Sequence, residues 1–231
     1  MKPIIVAVDG PAGSGKSTVS RRVALICGLR YIDSGALYRA VTLKVIERDG
    51  SVSPSFVFTP DLGRMRLEQE FLADGTCRTF LDGVDVTSQI RDELIARSIG
   101  IISDNREVRE FINALLRSWA GKGSIIMDGR DIGSVVFPNA DLKIYLDASV
   151  EVRAMRRIGE YRDLGKNVDE NLVKKQIIQR DREDMSRPYG ALVRCEDARY
   201  IDTSHMDIRR VVDTIKGFID ELRMCSPHGA E

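Results

Sequence analysis

The sequence lacks the residues from which metal clusters and disulfide frameworks are made. Its 231 residues hold four cysteines, Cys27, Cys77, Cys195 and Cys225, and two histidines, His205 and His228. No C-x-x-C pair occurs, so a zinc cluster is not expected, and scattered thiols suit a reducing compartment. Net charge is missing too: 35 Lys and Arg balance 35 Asp and Glu. A neutral chain does not advertise a sequence-independent grip on nucleic acid. No apolar run is long enough to cross a bilayer, and the opening "MKPIIVAVDG" enters a strand without the cleavage pattern of a secretion signal. The expectation is a cytosolic protein without membrane or nucleic-acid partners. Internal repeats, low-complexity segments and Ser-His-Asp or Cys-His constellations are absent as well. Nothing in the apolar patterning demands an oligomer, so a monomer is the default.

What is present is enough apolar content, 43%, for one good core plus a small appendage. Arginine heavily outnumbers lysine, which fits either genomic base composition or bidentate recognition of phosphates and carboxylates. Short apolar runs recur, several ending in aspartate: "IIVAVD", "RYID", "SIIMD", "LKIYLD" and "RYID" again at Arg199–Asp202. Runs buried on both faces and alternating with helical patterns predict a parallel sheet in a doubly wound α/β fold. Ligands of such folds sit at the carboxyl ends of the strands, which places Asp9, Asp33, Asp128, Asp147 and Asp202 near one rim. Asp147 and Asp202 also read as caps of the helices that follow them.

Two regions break the alternation. From Met65 to Val86, alternating segments with Asp74-Gly75 and Asp82-Gly83 at turn positions predict a small antiparallel meander, led in by the loop-like "DGSVSPSFVFTPDLG". Further on, two charged helices flank a break at Gly165 to Asn167, and the tail "MCSPHGAE" is expected to fray.

The chemistry begins at "DGPAGSGKST". Gly10, Gly15, Lys16 and Ser17 fit G-x-x-x-x-G-K-S/T, with Pro11, Ala12, Gly13 and Ser14 inside the loop and Thr18 behind it. Glycines let successive amides turn inward as an anion nest, and a helix starting near Lys16 adds its positive end. The strand before it and the amphipathic "STVSRRVALICG" after it supply the context a nucleotide-binding P-loop needs, rather than a merely tight turn. Lys16 would bridge the β- and γ-phosphates of ATP, and Ser17 would ligate Mg2+. No guanine-reading N-K-x-D occurs, which argues against a switch GTPase.

A second substrate needs its own residues. In "DSGALYR", Ser34, Tyr38 and Arg39 gather hydroxyls and a guanidinium at the head of a helix, although Ser34 as a plain helix cap is the duller alternative. In "SIIMDGRD", Asp128 occupies a place from which it would order magnesium, with Arg130 and Asp131 beside it. In "RDREDMSR", Arg180, Asp184 and Arg187 fall on one helix face, able to hold phosphate charge or to serve as a solvated ion-pair stripe. Many arginines and no general base suit transfer to a phosphate acceptor, already an oxyanion nucleophile, so that positioning and charge neutralisation suffice. A P-loop regulator that binds ATP and acts on a partner would leave these clusters without a role.

These motifs, together with "LDGVDVTSQIR", "DGRDIGSVVFPNADLKIYLDAS", "RDREDMSRPYGAL" and "DARYIDTSHM", make the chain resemble the bacterial cytidylate kinase family over nearly its whole length. The resemblance implies a P-loop NMP-kinase fold: a five-stranded parallel sheet core, an inserted β-meander and a short lid. It also implies boundaries: core with the P-loop at 1–35, an NMP-binding domain at 36–100 with its insert near 65–90, core at 101–154, lid at 155–167, core at 168–231. The implied reaction transfers the γ-phosphate of ATP to CMP or dCMP with Mg2+, UMP or AMP being the alternative acceptors. The implied catalytic set is Lys16, Asp128, Arg130 and Arg180. Ser34, Arg39, Arg130 and Arg187 would contact the CMP phosphate, Arg109 and Asp131 the cytosine edge, Arg180 and Asp184 the sugar and phosphates. Arg156 or Arg157 would close over ATP. One departure bears on base choice: Gly100 stands where some family members place a serine that hydrogen-bonds the cytosine amino group.

Overall fold

A computed structural model describes residues 2–53, 62–121, 123–163 and 165–225. The apolar runs become strands β1 (Ile5–Asp9), β2 (Arg30–Asp33), β6 (Ile125–Gly129), β7 (Leu142–Asp147) and β8 (Arg199–Asp202), in the order β2-β6-β1-β7-β8. All neighbours are parallel, and the register sets Asp9 beside Gly129 and Asp33 beside Asp128. The carboxyl ends of β1, β2 and β6 therefore share one rim, as the aspartate-terminated runs predict.

Both faces of the sheet are covered, which is why its central strands show no alternation: Val6, Ala7 and Val8 are all fully buried. Helices α1 (Lys16–Cys27) and α7 (Ile208–Cys225) lie on one face, packed through Val19, Val23, Ile215 and Ile219. Helices α2 (Ser34–Asp49), α3 (Glu93–Asp104) and α4 (Arg106–Ala120) enclose the other core, around Leu37, Val41, Ile102 and Ile112. Helices α5 (Val150–Asp163) and α6 (Glu170–Ser186) form a separate hairpin, joined by their own small apolar cluster of Ala154, Ile158, Val173 and Ile177. Gly165 and Asn167 fall in the connection between them, where the break is predicted.

The insert is a three-stranded antiparallel sheet of β3 (Leu67–Phe71), β4 (Cys77–Leu81) and β5 (Val84–Asp85). Asp74-Gly75 and Asp82-Gly83 occupy its two turns. Most of its expected lead-in, residues 54–61, and the tail from residue 226 lie outside the described residues.

The helix caps differ from the expectation. Asp33, not Ser34, caps α2 by accepting from the Ala36 amide at 2.9 Å. Asp147 and Asp202 instead bond the amides of Ala148 and Ser204, closing turns ahead of their helices, while Asp207 receives the Arg210 amide at the head of α7. An N-cap stands immediately before its helix, and these helices begin at Val150 and Ile208, so the capping places fall to Ser149, whose hydroxyl receives the Val152 amide at 3.3 Å, and to Asp207. Among the described residues no helix is long and apolar enough to cross a membrane.

Candidate active site

The glycine loop lies between β1 and α1. Gly10 has φ 151°, and a Cβ there would stand 2.0 Å from the Leu146 carbonyl oxygen, so only glycine lets the loop pass this close to β7. Lys16 folds back over the loop, its Nζ donating to the Pro11 carbonyl at 2.7 Å and lying 3.3 Å from Ser14 Oγ. Burial, with Arg130 as the next contribution, lowers the Lys16 ammonium to about 7. An ammonium held this reluctantly is poised to take up an anion. Asp9 accepts from the amides of Ile132 and Gly133 at 2.9 and 2.7 Å, tying the start of the loop to the segment after β6.

Asp128, at the end of β6, receives the Ser17 hydroxyl at 2.6 Å on one oxygen and the Tyr31 hydroxyl at 2.7 Å on the other. Burial and then the neighbouring Asp33 raise it to about 6. A carboxylate so placed gains from a nearby cation, and a carboxylate with a hydroxyl is the hard oxygen donor set Mg2+ prefers, water completing its shell. The residues fit the ion. Among the described residues no cluster of three or more His, Cys, Asp or Glu offers another metal site.

Opposite the loop, Asp184 gathers arginines. Its oxygens lie 2.6 Å from Arg130 Nε, 3.0 Å from Arg187 Nη2 and 3.7 Å from Arg180 Nε. Burial would raise this carboxyl, but Arg130, Arg180 and Arg187 outweigh it and hold it at about 2. Arg39 joins the same wall; burial, then Arg91 and Arg180, lowers it to about 10. Positive charge thus exceeds negative here, and the charge of Arg130 reaches Lys16 of the loop. Ser34 sits between the halves, its hydroxyl donating to the Asp128 carbonyl at 2.6 Å.

Deeper in, Arg109 is 2% exposed and pairs with Asp131 at 2.6 Å. It also donates to the carbonyls of Ser103 and Gly190, and its guanidinium lies 5.4 Å from the centre of the Tyr38 ring. Tyr38 therefore belongs with this pair rather than with Ser34 and Arg39. Gly190 has φ 69°, and a Cβ on it would come 2.2 Å from Arg109 Nη2. Gly100 is open: the nearest atom to a Cβ there is Glu183 Oε2, at 4.0 Å.

The two hairpin arginines separate. Arg156 is held flat by Thr203, its Nη atoms 3.1 and 2.9 Å from the Thr203 hydroxyl and carbonyl. It lines a cavity of about 240 Å³ with Thr18, Val19, Met206, Ile208 and Val211. Arg157 instead pairs with Glu160 at 2.8 Å, and its charge bears on Arg39 on the other side.

Sequence reasoning missed three contributors. Arg153 is 4% exposed; it binds Asp181 through two nitrogens at 2.9 and 2.6 Å and donates to the Ala12 carbonyl, fastening the hairpin to the loop. Arg91 reaches Asp33 at 3.4 Å and adds to the arginine wall. Tyr31 orients Asp128. The only signal for any of them was a charge or hydroxyl near a motif, which many idle residues share.

Residues 6–221 match the family described as Cytidylate kinase. The chain is 42% identical over 212 residues to a cytidylate kinase of Pelotomaculum thermopropionicum, covering 91% of this chain and 93% of that protein. It is 41% identical over 215 residues to a cytidylate kinase of Caldicellulosiruptor bescii, covering 93% and 95%. Among solved structures, an uncharacterized protein from Eubacterium ventriosum superposes with a TM-score of 0.56 at 16% identity, covering 95% of this chain and 99% of that one. At that identity the likeness speaks for the fold alone.

Proposed function

Because the chain belongs to the cytidylate kinase family, we propose that its cleft passes the γ-phosphate of ATP in line to the phosphate of CMP or dCMP. It is an ATP-dependent nucleoside monophosphate kinase that phosphorylates CMP. The observation that supports the site assignment is that the end of β6 joins the two halves: Asp128 receives the Ser17 hydroxyl of the loop at 2.6 Å, and Arg130, two residues on, lies 2.6 Å from Asp184 of the arginine wall. In this reading the donor and acceptor phosphates meet there.

In this reading the loop amides and Lys16 bind the β- and γ-phosphates. Ser17 and Asp128 would hold Mg2+, which when bound neutralises charge on the donor phosphates. Ser34, Arg39, Arg130 and Arg187 orient the CMP phosphate, while Arg180 and Asp184 sit where sugar and phosphate meet. Asp184 already carries Arg130 and Arg187, so its first task is to aim them. Arg109 and Asp131, beside Tyr38, present a donor and an acceptor to the cytosine edge. Arg156 walls the base end of the ATP site, and Arg157 faces the acceptor. The hairpin centred on 155–167 closes as a lid and excludes water, which would otherwise accept the phosphoryl group. No general base is needed, since the acceptor is already anionic. The balanced net charge and the unpaired Cys27, Cys77 and Cys195 support a cytosolic enzyme without a nucleic-acid partner, and a monomer completes the reading.

The test is coupled ADP release from Mg-ATP with CMP, dCMP, UMP, AMP and no acceptor side by side. Turnover is expected with CMP and dCMP and not with UMP or AMP. Comparable turnover of UMP would show that Gly100 relaxes base choice. ADP release indifferent to every acceptor would overturn the kinase reading.

A further inference from the structure

The meander meets the active site along strand β2. Among the described residues strand β2 lies at the edge of the sheet, paired only with β6, and it ends in Asp33. Gln69 of β3 meets the main chain of Asp33 with both ends of its carboxamide. The Asp33 amide donates to Gln69 Oε1 at 3.1 Å, and Gln69 Nε2 donates to the Asp33 carbonyl at 2.7 Å. Nε2 also lies 3.3 Å from Thr79 Oγ1 on the neighbouring strand. The carboxamide thus stands in for one residue of a partner strand. Two residues along, Phe71 packs edge-on against Tyr31, ring centres 5.8 Å apart. Alternate residues of β3 therefore clasp alternate residues of β2.

Asp33 is not a neutral place to hold. Its side chain caps α2 at Ala36 and reaches Arg91, and Ser34 follows it directly. A shift of Asp33 moves the head of α2, which carries Ser34 in its first turn and Arg39 in its second. We infer that Gln69 is a positioning residue for the acceptor: the insert fixes Asp33, and through it the phosphate-facing turn of α2. The role asks for an amide, because only one planar group with a donor and an acceptor satisfies both main-chain atoms; a carboxylate accepts but cannot donate. The inference rests on the kinase reading and deepens its acceptor half.

The test measures KM for CMP and for ATP, kcat and the thermal midpoint in Gln69→Met and Gln69→Glu. Methionine keeps the length and apolar packing, and glutamate keeps the shape while losing the donor, so a variant remains if one fails to fold. The expected result is a KM for CMP raised about tenfold, the effect of losing roughly one net hydrogen bond to a polar partner, with KM for ATP and kcat within about twofold. Calorimetric binding of CMP without ATP should weaken in parallel. An unchanged KM for CMP overturns the inference. A joint change of both KM values with a lowered thermal midpoint also overturns it, since the amide would then serve the fold alone. Wild-type protein that fails to phosphorylate CMP would instead overturn the functional reading, so the two failures are distinct.

Discussion

The glycine loop and the arginine wall, proposed above as donor and acceptor sites, are made differently. Residues 10–18 form one unbroken stretch that offers main-chain amides, one lysine and a hydroxyl, held by a strand behind and a helix ahead. The wall is made of side chains from segments far apart in sequence: Arg39 on α2, Arg109 on α4, Arg130 after β6, and Arg180, Asp184 and Arg187 on or just past α6. Main-chain ligands are fixed by local geometry, whereas a wall of cations must be held against its own repulsion. Asp184 does that holding. The lesson is that a main-chain loop can be specified locally, while this cluster of arginines exists only once the whole fold has closed.

Three substitutions would break or sharpen that contrast. The largest effect is expected from Lys16→Ala, the one side chain on which the loop depends: kcat should fall about a thousandfold, measured by coupled ADP release. Full turnover would remove the loop from the chemistry. Asp184→Asn comes next, because it leaves buried arginines without their counter-charge. It should raise KM for CMP about a hundredfold and cost roughly 3 to 5 kcal/mol in chemical denaturation. That stability term has a pH signature. The folded carboxyl is held at about 2 against an ordinary 3.8, so its contribution is full above pH ~4 and disappears as pH falls through about 2. The gap between wild type and variant should narrow over that window, by roughly 2 kcal/mol; a gap independent of pH would mean the ion pairs are not its source. The smallest effect is expected from Gly190→Ala, which pushes Arg109 from its pair with Asp131. KM for CMP should rise about tenfold and KM for ATP stay put. Equal movement of both would place Arg109 outside base recognition.

The same contrast explains what could be read from the sequence. The P-loop was legible because its spacing and its chemistry coincide in one stretch. The central strands β1 and β6 were legible because burial on both faces leaves continuous apolar runs, β8, exposed except at Ile201, only through its R-Y-I-D resemblance to β2, and the meander because two Asp-Gly turns punctuate it. Asp128, Arg130 and the arginine stripe of α6 carried weaker signals that a P-loop made worth following. The contacts across long sequence separations were not legible: Arg153 with Asp181 and Ala12, Arg109 with Gly190, Gln69 with Asp33. Each depends on a side chain meeting a main-chain atom or a charge delivered by another element, and no local pattern encodes the meeting. The helix caps failed for a milder reason, since an aspartate at a strand end serves a turn as readily as a helix.

The clasp of β3 on β2 has a consequence outside the cleft. A strand at the border of a sheet presents unpaired amides and carbonyls to any passing chain, a standing invitation to strand exchange and fibril growth. Here the last residue of that border is already occupied by the protein's own glutamine, and a phenylalanine closes over the tyrosine beside it. The insert is therefore also a guard on the sheet's open margin. Its loss would expose that margin to strand pairing.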